Sequence, residues 1–249
     1  MRIVEPAVSN HLKPILVILH RSCGEMGNVG EMLLRWGYRL DIRCIIEGDT
    51  LPNAADYAAV VVFGGVMSAN DAGRVEGIAK EKAWIPCVIE TNVPYLGICL
   101  GAQLLANALG AGVVPKADRS VEIGFHKIRP KKPGDLGLPA AGLRFYQWHL
   151  EGFEVPPNCQ CLAESDHFNN QAFRLNAHTF GLQFHPETTR EMIDCWVQRE
   201  PQHLSLVGAQ SYKMQVELFK VCEQPIKTWL QSFLSAWLLS DTRDIASAK

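Results

Sequence analysis

The 249-residue chain has no apolar run of membrane-spanning length, and Met1 to Pro14 carry Glu5, His11 and Lys13 in place of a signal-peptide core. We therefore expect a cytoplasmic protein with no membrane partner. Neither sign of charge is in excess. A formal net charge of -2 at pH 7 gives no general attraction to nucleic acid, so no nucleic-acid partner is expected. Internal repeats and low-complexity linkers are missing too. The eight cysteines (Cys23, Cys44, Cys87, Cys99, Cys159, Cys161, Cys195 and Cys222) contain no CxxC pair. In a chain this long they read as reduced, mostly buried thiols, neither a disulfide framework nor a zinc ribbon. Cys159-Gln160-Cys161 is the single close pair, and its alternation with Leu162 suits a structural strand. Gly24, Gly27 and Gly30 follow a strand as GxxGxxG, which is not the dinucleotide fingerprint, so a nucleotide site is discounted. What is present is an ordinary globular composition, 47% hydrophobic, sufficient for one sizeable α/β domain with a small appendage.

The chain is organised around Val93 to Gly110. Its first half is short, apolar and opened by Pro94; its second keeps Leu100, Leu104, Leu105 and Ala108 on one helical face. This is a buried strand turning sharply into a helix, with Cys99 at the turn. Gly97 and Gly101 on either side permit the crowded bend of a nucleophile elbow. The sulfur is thereby placed at the positive end of the helix, where free N–H groups favour a thiolate and can serve an oxyanion.

Around it, Pro14–His20, Tyr38–Ile46 and Ala58–Phe63 read as strands, separated by a helix at Glu31–Trp36 that Gly37 closes. Val75–Glu90 reads as a helix that Pro86 kinks or divides. This βαβ succession predicts an α/β protein with a flavodoxin-like, mostly parallel sheet covered by helices on both faces. Past Gly110, Val113–Val114, Val121–Arg129, Leu143–Trp148, Cys161–Glu164, Gln171–Leu175 and His178–Phe184 are short strands between turn residues, a small antiparallel layer. Thr188 and Glu191 form a capping box for a following helix with Met192, Ile193, Trp196 and Val197 on one side. After Pro225, Ile226, Trp229, Leu230, Phe233, Trp237 and Leu238 keep helical spacing. We divide the chain into a leader (1–13), a domain (14–203) and a C-terminal helical extension (204–249) packed on that domain.

The Gly64-Gly65 pair after the third strand is either a tight turn or an oxyanion cradle at the carboxyl edge of the sheet. A thiolate nucleophile needs a base and a group to orient it. In Gly181-Leu182-Gln183-Phe184-His185-Pro186-Glu187, alternation projects His185 and Glu187 to one side, and Pro186 keeps its neighbour extended. His149-Leu150-Glu151 repeats the H-x-E spacing, so a metal site built from both pairs competes. It leaves the elbow and the glycine pair unexplained, so neither metal nor cofactor is expected.

Gly97-Ile98-Cys99-Leu100-Gly101-Ala102-Gln103 together with Gln183-Phe184-His185-Pro186-Glu187, in this order, resembles the class I glutamine amidotransferases. Within them the chain is most similar to stand-alone proteins related to the amidotransferase domain of GMP synthase. The resemblance covers about Ile15 to Ile193, and Val60–Ser68, Glu122-Ile123-Gly124 and Trp148-His149 also fit it. It implies a Cys99-His185-Glu187 triad that hydrolyses the glutamine side-chain amide through a γ-glutamyl thioester. It further implies an oxyanion hole at Gly65 and Leu100, and a substrate site drawn from Gly64, Met67, Gln103, Trp148, His149, Leu150 and Glu151. Ammonia would pass to a separate synthase, because too few residues follow Ile193 to build an acceptor domain. Val66 stands where many relatives have proline, and Leu150-Glu151 replaces the usual Gly-Asp. That second departure opens an alternative, a hydrolase or peptidase acting on another γ-glutamyl compound. A non-catalytic binding module that keeps the fold is the third reading, although such a module needs none of the triad.

Overall fold

The computed structural model describes residues 13–21 and 24–244, so the leader apart from Lys13, and Cys23, lie outside the described residues. The strands are β1 (Ile15–Leu19), β2 (Leu40–Cys44), β3 (Ala59–Val62), β4 (Tyr95–Ile98), β5 (Val113–Pro115), β6 (Glu122–Pro130), β7 (Leu143–His149), β8 (Glu151–Phe153), β9 (Gln160–Glu164), β10 (Ala172–Arg174) and β11 (Thr179–Leu182). Nine of them form one sheet in the order β2-β1-β3-β4-β11-β10-β9-β6-β7. The first five are parallel, in the flavodoxin-like order, and the remaining four continue the same sheet antiparallel. The strands past Gly110, all expected in one antiparallel layer, thus divide three ways: β11 instead joins the parallel strands beside β4, four extend the main sheet antiparallel, and β5 pairs with β8 as a separate small ribbon.

The helices are α1 (Gly27–Arg35), α2 (Glu76–Glu90), α3 (Leu100–Ala108), α4 (Arg190–Arg199) and α5 (Tyr212–Asp244). Alternation along β1 fills both faces of the sheet. Ile15, Val17 and Leu19 pack with Val29 and Leu33 of α1 and with Ile226, Trp229, Leu230, Phe233 and Trp237 of α5. Leu16 and Ile18 face Ile78, Ile85 and Val88 of α2 and Leu104 and Leu105 of α3. A strand buried on both faces needs a continuous apolar run, which is why Ile15–Leu19 has no polar residue.

α2 runs undivided through Pro86, and one proline expectation is corrected: the last helix starts at Tyr212, well ahead of Pro225. Both prolines lie on exposed faces, where a carbonyl left unbonded by the missing N–H is not confined to the core. The expected capping box is also displaced: Thr189, not Thr188, caps α4 by accepting from the Met192 N–H at 3.3 Å. The Thr188 hydroxyl instead donates to the His185 carbonyl. The thiols are less buried than expected, since Cys44, Cys99 and Cys222 are buried whereas Cys87 is exposed and Cys159, Cys161 and Cys195 are intermediate.

Candidate active site

The carboxyl ends of β1, β3, β4 and the chain beyond β11 converge at one edge of the sheet, the position at which open α/β sheets bind ligands. Cys99 stands between β4 and α3 with φ 50° and ψ −106°, a conformation costly for a residue with a Cβ. The bend holds because its flanks are glycine. A Cβ at Gly97 would lie 2.5 Å from the Gly101 carbonyl oxygen, and one at Gly101 would lie 2.1 Å from that of Val62. The elbow is therefore locked between its own helix and the neighbouring strand. Cys99 is 6% exposed, and its Sγ accepts from Gln183 Nε2 at 3.6 Å.

His185 Nδ1 lies 2.7 Å from Glu187 Oε1, with both side chains buried. Donation from Nδ1 leaves Nε2 toward the elbow, where it has no hydrogen-bond partner among the described residues. The Gly64 Cα fits between this ring and Cys99: a Cβ there would stand 2.9 Å from His185 Cε1 and 3.5 Å from Cys99 Cβ. Burial pulls the imidazole toward its neutral form, but the carboxylate of Glu187 and the sulfur of Cys99 outweigh it and raise the pKa to about 10. Cys159, by contrast, is pushed up to about 11 by burial alone.

The glycine-rich bend near Gly27 has a role unrelated to nucleotides. Gly27, at φ 49°, lies so close to the Glu187 carbonyl that a Cβ would stand 2.0 Å from the oxygen. The Asn28 N–H then donates to that carbonyl at 2.8 Å, and Asn28 Nδ2 donates to the Thr188 carbonyl at 3.1 Å. Glycine at this site serves backbone approach to the loop that carries Glu187.

A cavity of about 140 Å³ opens in front of Cys99. Gly64, Gly65, Trp148, His185 and Glu187 line it, and so do Val66, Met192, Trp196, Arg199 and Glu200. Met67, Gln103, His149, Leu150 and Glu151 lie outside this lining. Most of them form a polar mesh beside it. Gln103 Nε2 donates to the Glu151 carbonyl at 3.0 Å and to Gln183 Oε1 at 3.2 Å, which ties the mesh to Cys99. His149 Nδ1 bonds the same Glu151 carbonyl, and its Nε2 lies 3.1 Å from Glu122 Oε2. Burial would lift the Glu122 carboxyl, but His149 and His126 together hold it below its usual value. The Glu151 carboxylate accepts from Ser68 Oγ at 2.7 Å, so the two H-x-E pairs are built differently and do not converge on a metal. Leu150 is 38% exposed and Met67 packs against the α2 side of the core. Val66, 71% exposed, stands at the lip of the cavity.

Sequence reading missed His20, Glu81, Asn28 and Gln183. His20 and Glu81 are sixty-one positions apart in the chain and carry no local pattern. Gln183 lay inside a motif already singled out, two residues before His185, and the period-2 alternation puts both on one side.

Fold and site together define an α/β protein with a cysteine elbow beside a buried His–Glu pair. The family model described as Glutamine amidotransferase class-I matches residues 26–195, and the chain belongs to the class I glutamine amidotransferase family. Among curated relatives, the glutamine amidotransferase-like protein YfeJ of Salmonella typhimurium is 29% identical, covering 69% of this chain and 76% of its own. In Pyrococcus abyssi, one of the subunits of the glutamine-hydrolyzing GMP synthase is 32% identical over 57% of this chain and 77% of that one. The GMP synthase of Aeropyrum pernix is 34% identical over 65% of this chain, which spans only 29% of that longer protein. Among solved structures, a glutamine amidotransferase from Methylobacillus flagellatus superposes with a TM-score of 0.85 at 26% identity, covering 92% of this chain and 95% of that one. Another from Thermotoga maritima gives 0.82 at 26% identity, covering 92% and 99%.

Proposed function

We propose that the chain hydrolyses the side-chain amide of glutamine with Cys99 as nucleophile, His185 as acid and base, and Glu187 as the group that orients His185. The observation that carries this reading is the buried His185–Glu187 pair, 2.7 Å apart, set beside a thiol at a strained elbow. Cys99 Sγ attacks the amide carbon, and the oxygen takes the negative charge. The N–H groups of Gly65 and Leu100 receive it; neither donates to an acceptor among the described residues. His185 gives its Nε2 proton to the nitrogen as the C–N bond breaks, releasing ammonia and leaving a γ-glutamyl thioester. Water, deprotonated by His185, then splits the thioester to glutamate and restores the thiol. The reading needs no metal or cofactor.

Relatives that are separate subunits of GMP synthase support a partner synthase that receives the ammonia. We assign residues 14–203 to catalysis and 204–249 to an extension of the same domain. We place the protein in the cytoplasm; no described helix is long and apolar enough to cross a membrane. The test is ammonia release from glutamine, with and without a candidate synthase, by the wild type and by Cys99→Ala. Release that persists in the variant refutes the assignment.

The lining of the cavity favours a second reading, hydrolysis of another γ-glutamyl amide: besides the triad, Trp148, Met192, Trp196, Arg199 and Glu200 line it, side chains that suit an amine larger than ammonia. Comparing kcat/KM for glutamine with that for γ-glutamyl amides of aromatic and aliphatic amines decides between the two. A clear preference for glutamine removes the second.

A further inference from the structure

We propose that His20 and Glu81 are a positioning pair that aims the Gly65 N–H at the oxyanion by holding the Gly64 carbonyl from behind; this rests on the hydrolysis proposed above. The backbone ladder between β1 and β3 ends at the Phe63 N–H, which donates to the Ile18 carbonyl at 3.0 Å. One residue on, the ladder is continued by a side chain: His20 Nδ1 lies 3.1 Å from the Gly64 carbonyl oxygen. The peptide unit is planar and trans, so its C=O and N–H point in opposite directions. Holding the Gly64 oxygen on the His20 side therefore turns the Gly65 N–H to the other side, toward the elbow. Gly65 is wedged there, since a Cβ would stand 2.8 Å from both His20 Cβ and Leu100 Cδ2.

Glu81 holds the far side of the His20 ring. His20 Nε2 lies 3.1 and 3.2 Å from the two oxygens of the Glu81 carboxyl, and both residues are buried, at 5% and 0% exposure. The His20 ring is thus held at both nitrogens, by the Gly64 carbonyl oxygen at Nδ1 and by the Glu81 carboxyl at Nε2. A carbonyl oxygen only accepts, so the bond at Nδ1 is one that the ring donates. A buried carboxyl at 0% exposure on α2 is expensive unless something uses it. Fixing the orientation of the His20 ring is that use.

The pair is tested with two double variants that differ in one donor. Asn at position 20 places an amide nitrogen where Nδ1 stood, and Leu places none, so His20→Asn/Glu81→Gln and His20→Leu/Glu81→Gln both remove the buried charge but only the first can still bond Gly64. Two rates are measured on each: acylation of Cys99 by γ-glutamyl-p-nitroanilide, followed by intact mass after acid quench, and alkylation of Cys99 by iodoacetamide. Alkylation is a displacement at carbon that develops no oxyanion. The Leu variant should lose about 100-fold in acylation and the Asn variant less than about 10-fold, with alkylation unchanged in both. The loss should fall on kcat, with KM within about 3-fold. Equal acylation by the two variants, or acylation and alkylation falling together, overturns the proposal. A wild type that is alkylated but never acylated refutes the hydrolysis itself, an outcome distinct from either.

Discussion

Replacing Glu187 by Gln keeps the shape beside His185 and removes its charge, which makes the titration of His185 the sharpest check on the site. The imidazole is raised from 6.5 to about 10 against the opposing pull of burial, which at about 1.4 kcal/mol per tenfold is about 5 kcal/mol in favour of the imidazolium. Burial is the largest single influence and acts downward; the Glu187 carboxylate is the largest acting upward, ahead of Cys99. A neighbouring opposite charge moves a pKa by about 1–3, so Glu187→Gln should bring His185 down to between about 7 and 9. The folded value lies above the unfolded one, so the stabilisation from His185 is complete below pH 6.5 and is lost as pH rises to about 10. In the variant that window shrinks from its alkaline side. Histidine-labelled protein titrated by NMR, with the His185 signal assigned by its loss in His185→Asn, reads the midpoint directly. The alkaline limb of kcat/KM should move with it, because only the imidazolium can protonate the leaving nitrogen, and turnover at pH 8 should fall by up to about 10-fold through the smaller imidazolium fraction. Cys99→Ala should lower the midpoint too. A wild-type His185 that titrates near 6.5, or a Glu187→Gln midpoint unchanged from wild type, refutes the paired-charge account.

Three further outcomes follow from the packing. Gly101→Ala places a methyl 2.1 Å from the Val62 carbonyl oxygen and should cost about 3 kcal/mol or abolish folding, whereas Gly73→Ala, open on all sides, should stay within about 0.5 kcal/mol; urea denaturation compares them. Trp229→Ala removes a side chain that stacks on Phe233 at 5.0 Å, meets Phe145 at 4.8 Å and donates to the Leu136 carbonyl. Thermal unfolding should show a loss of about 3–5 kcal/mol, and a neutral result would mean that α5 is not part of the core. Leu150→Gly should leave KM within about 2-fold, because Leu150 is outside the cavity wall; a gain in affinity of about 10-fold would show that it obstructs the substrate.

The elements that were legible in the sequence are those whose cause is local. Apolar runs such as Ile15–Leu19 announced the central strands, and the glycines around Cys99 announced the elbow, because burial and bend each act within a few residues. His185 and Glu187 were legible for the same reason, at period 2 on one extended segment. Helix limits around proline were not. Pro86 and Pro225 sit inside their helices on exposed faces, and which face of a helix is exposed is a property of the whole fold. The partners of His149 and Glu151 were not legible, because the spacing of H-x-E is silent about them. His149 takes Glu122 from the adjacent strand β6, and the Glu151 carboxylate takes Ser68 from the loop after β3.

The same contrast explains why one His–Glu pair was found and the other was not. His185 and Glu187 share a strand end, whereas His20 follows β1 and Glu81 lies on α2, joined only because β1 and β3 bring their carboxyl ends beneath that helix. The glycines divide in the same manner. Gly97 and Gly101 answer to each other along the chain, but Gly27 and Gly64 answer to Glu187 and His185, residues more than a hundred positions away. In each of these cases the absent Cβ is what lets one loop touch another, and the polar partner next to it is what keeps the contact in register. A substitution at Gly27 is therefore expected to act on His185 through the loop carrying Glu187, although Gly27 itself is not in the cavity wall. Distance from the nucleophile along the chain, and even absence from the cavity, does not measure a residue's hold on the chemistry; backbone contact with the loops that position it does.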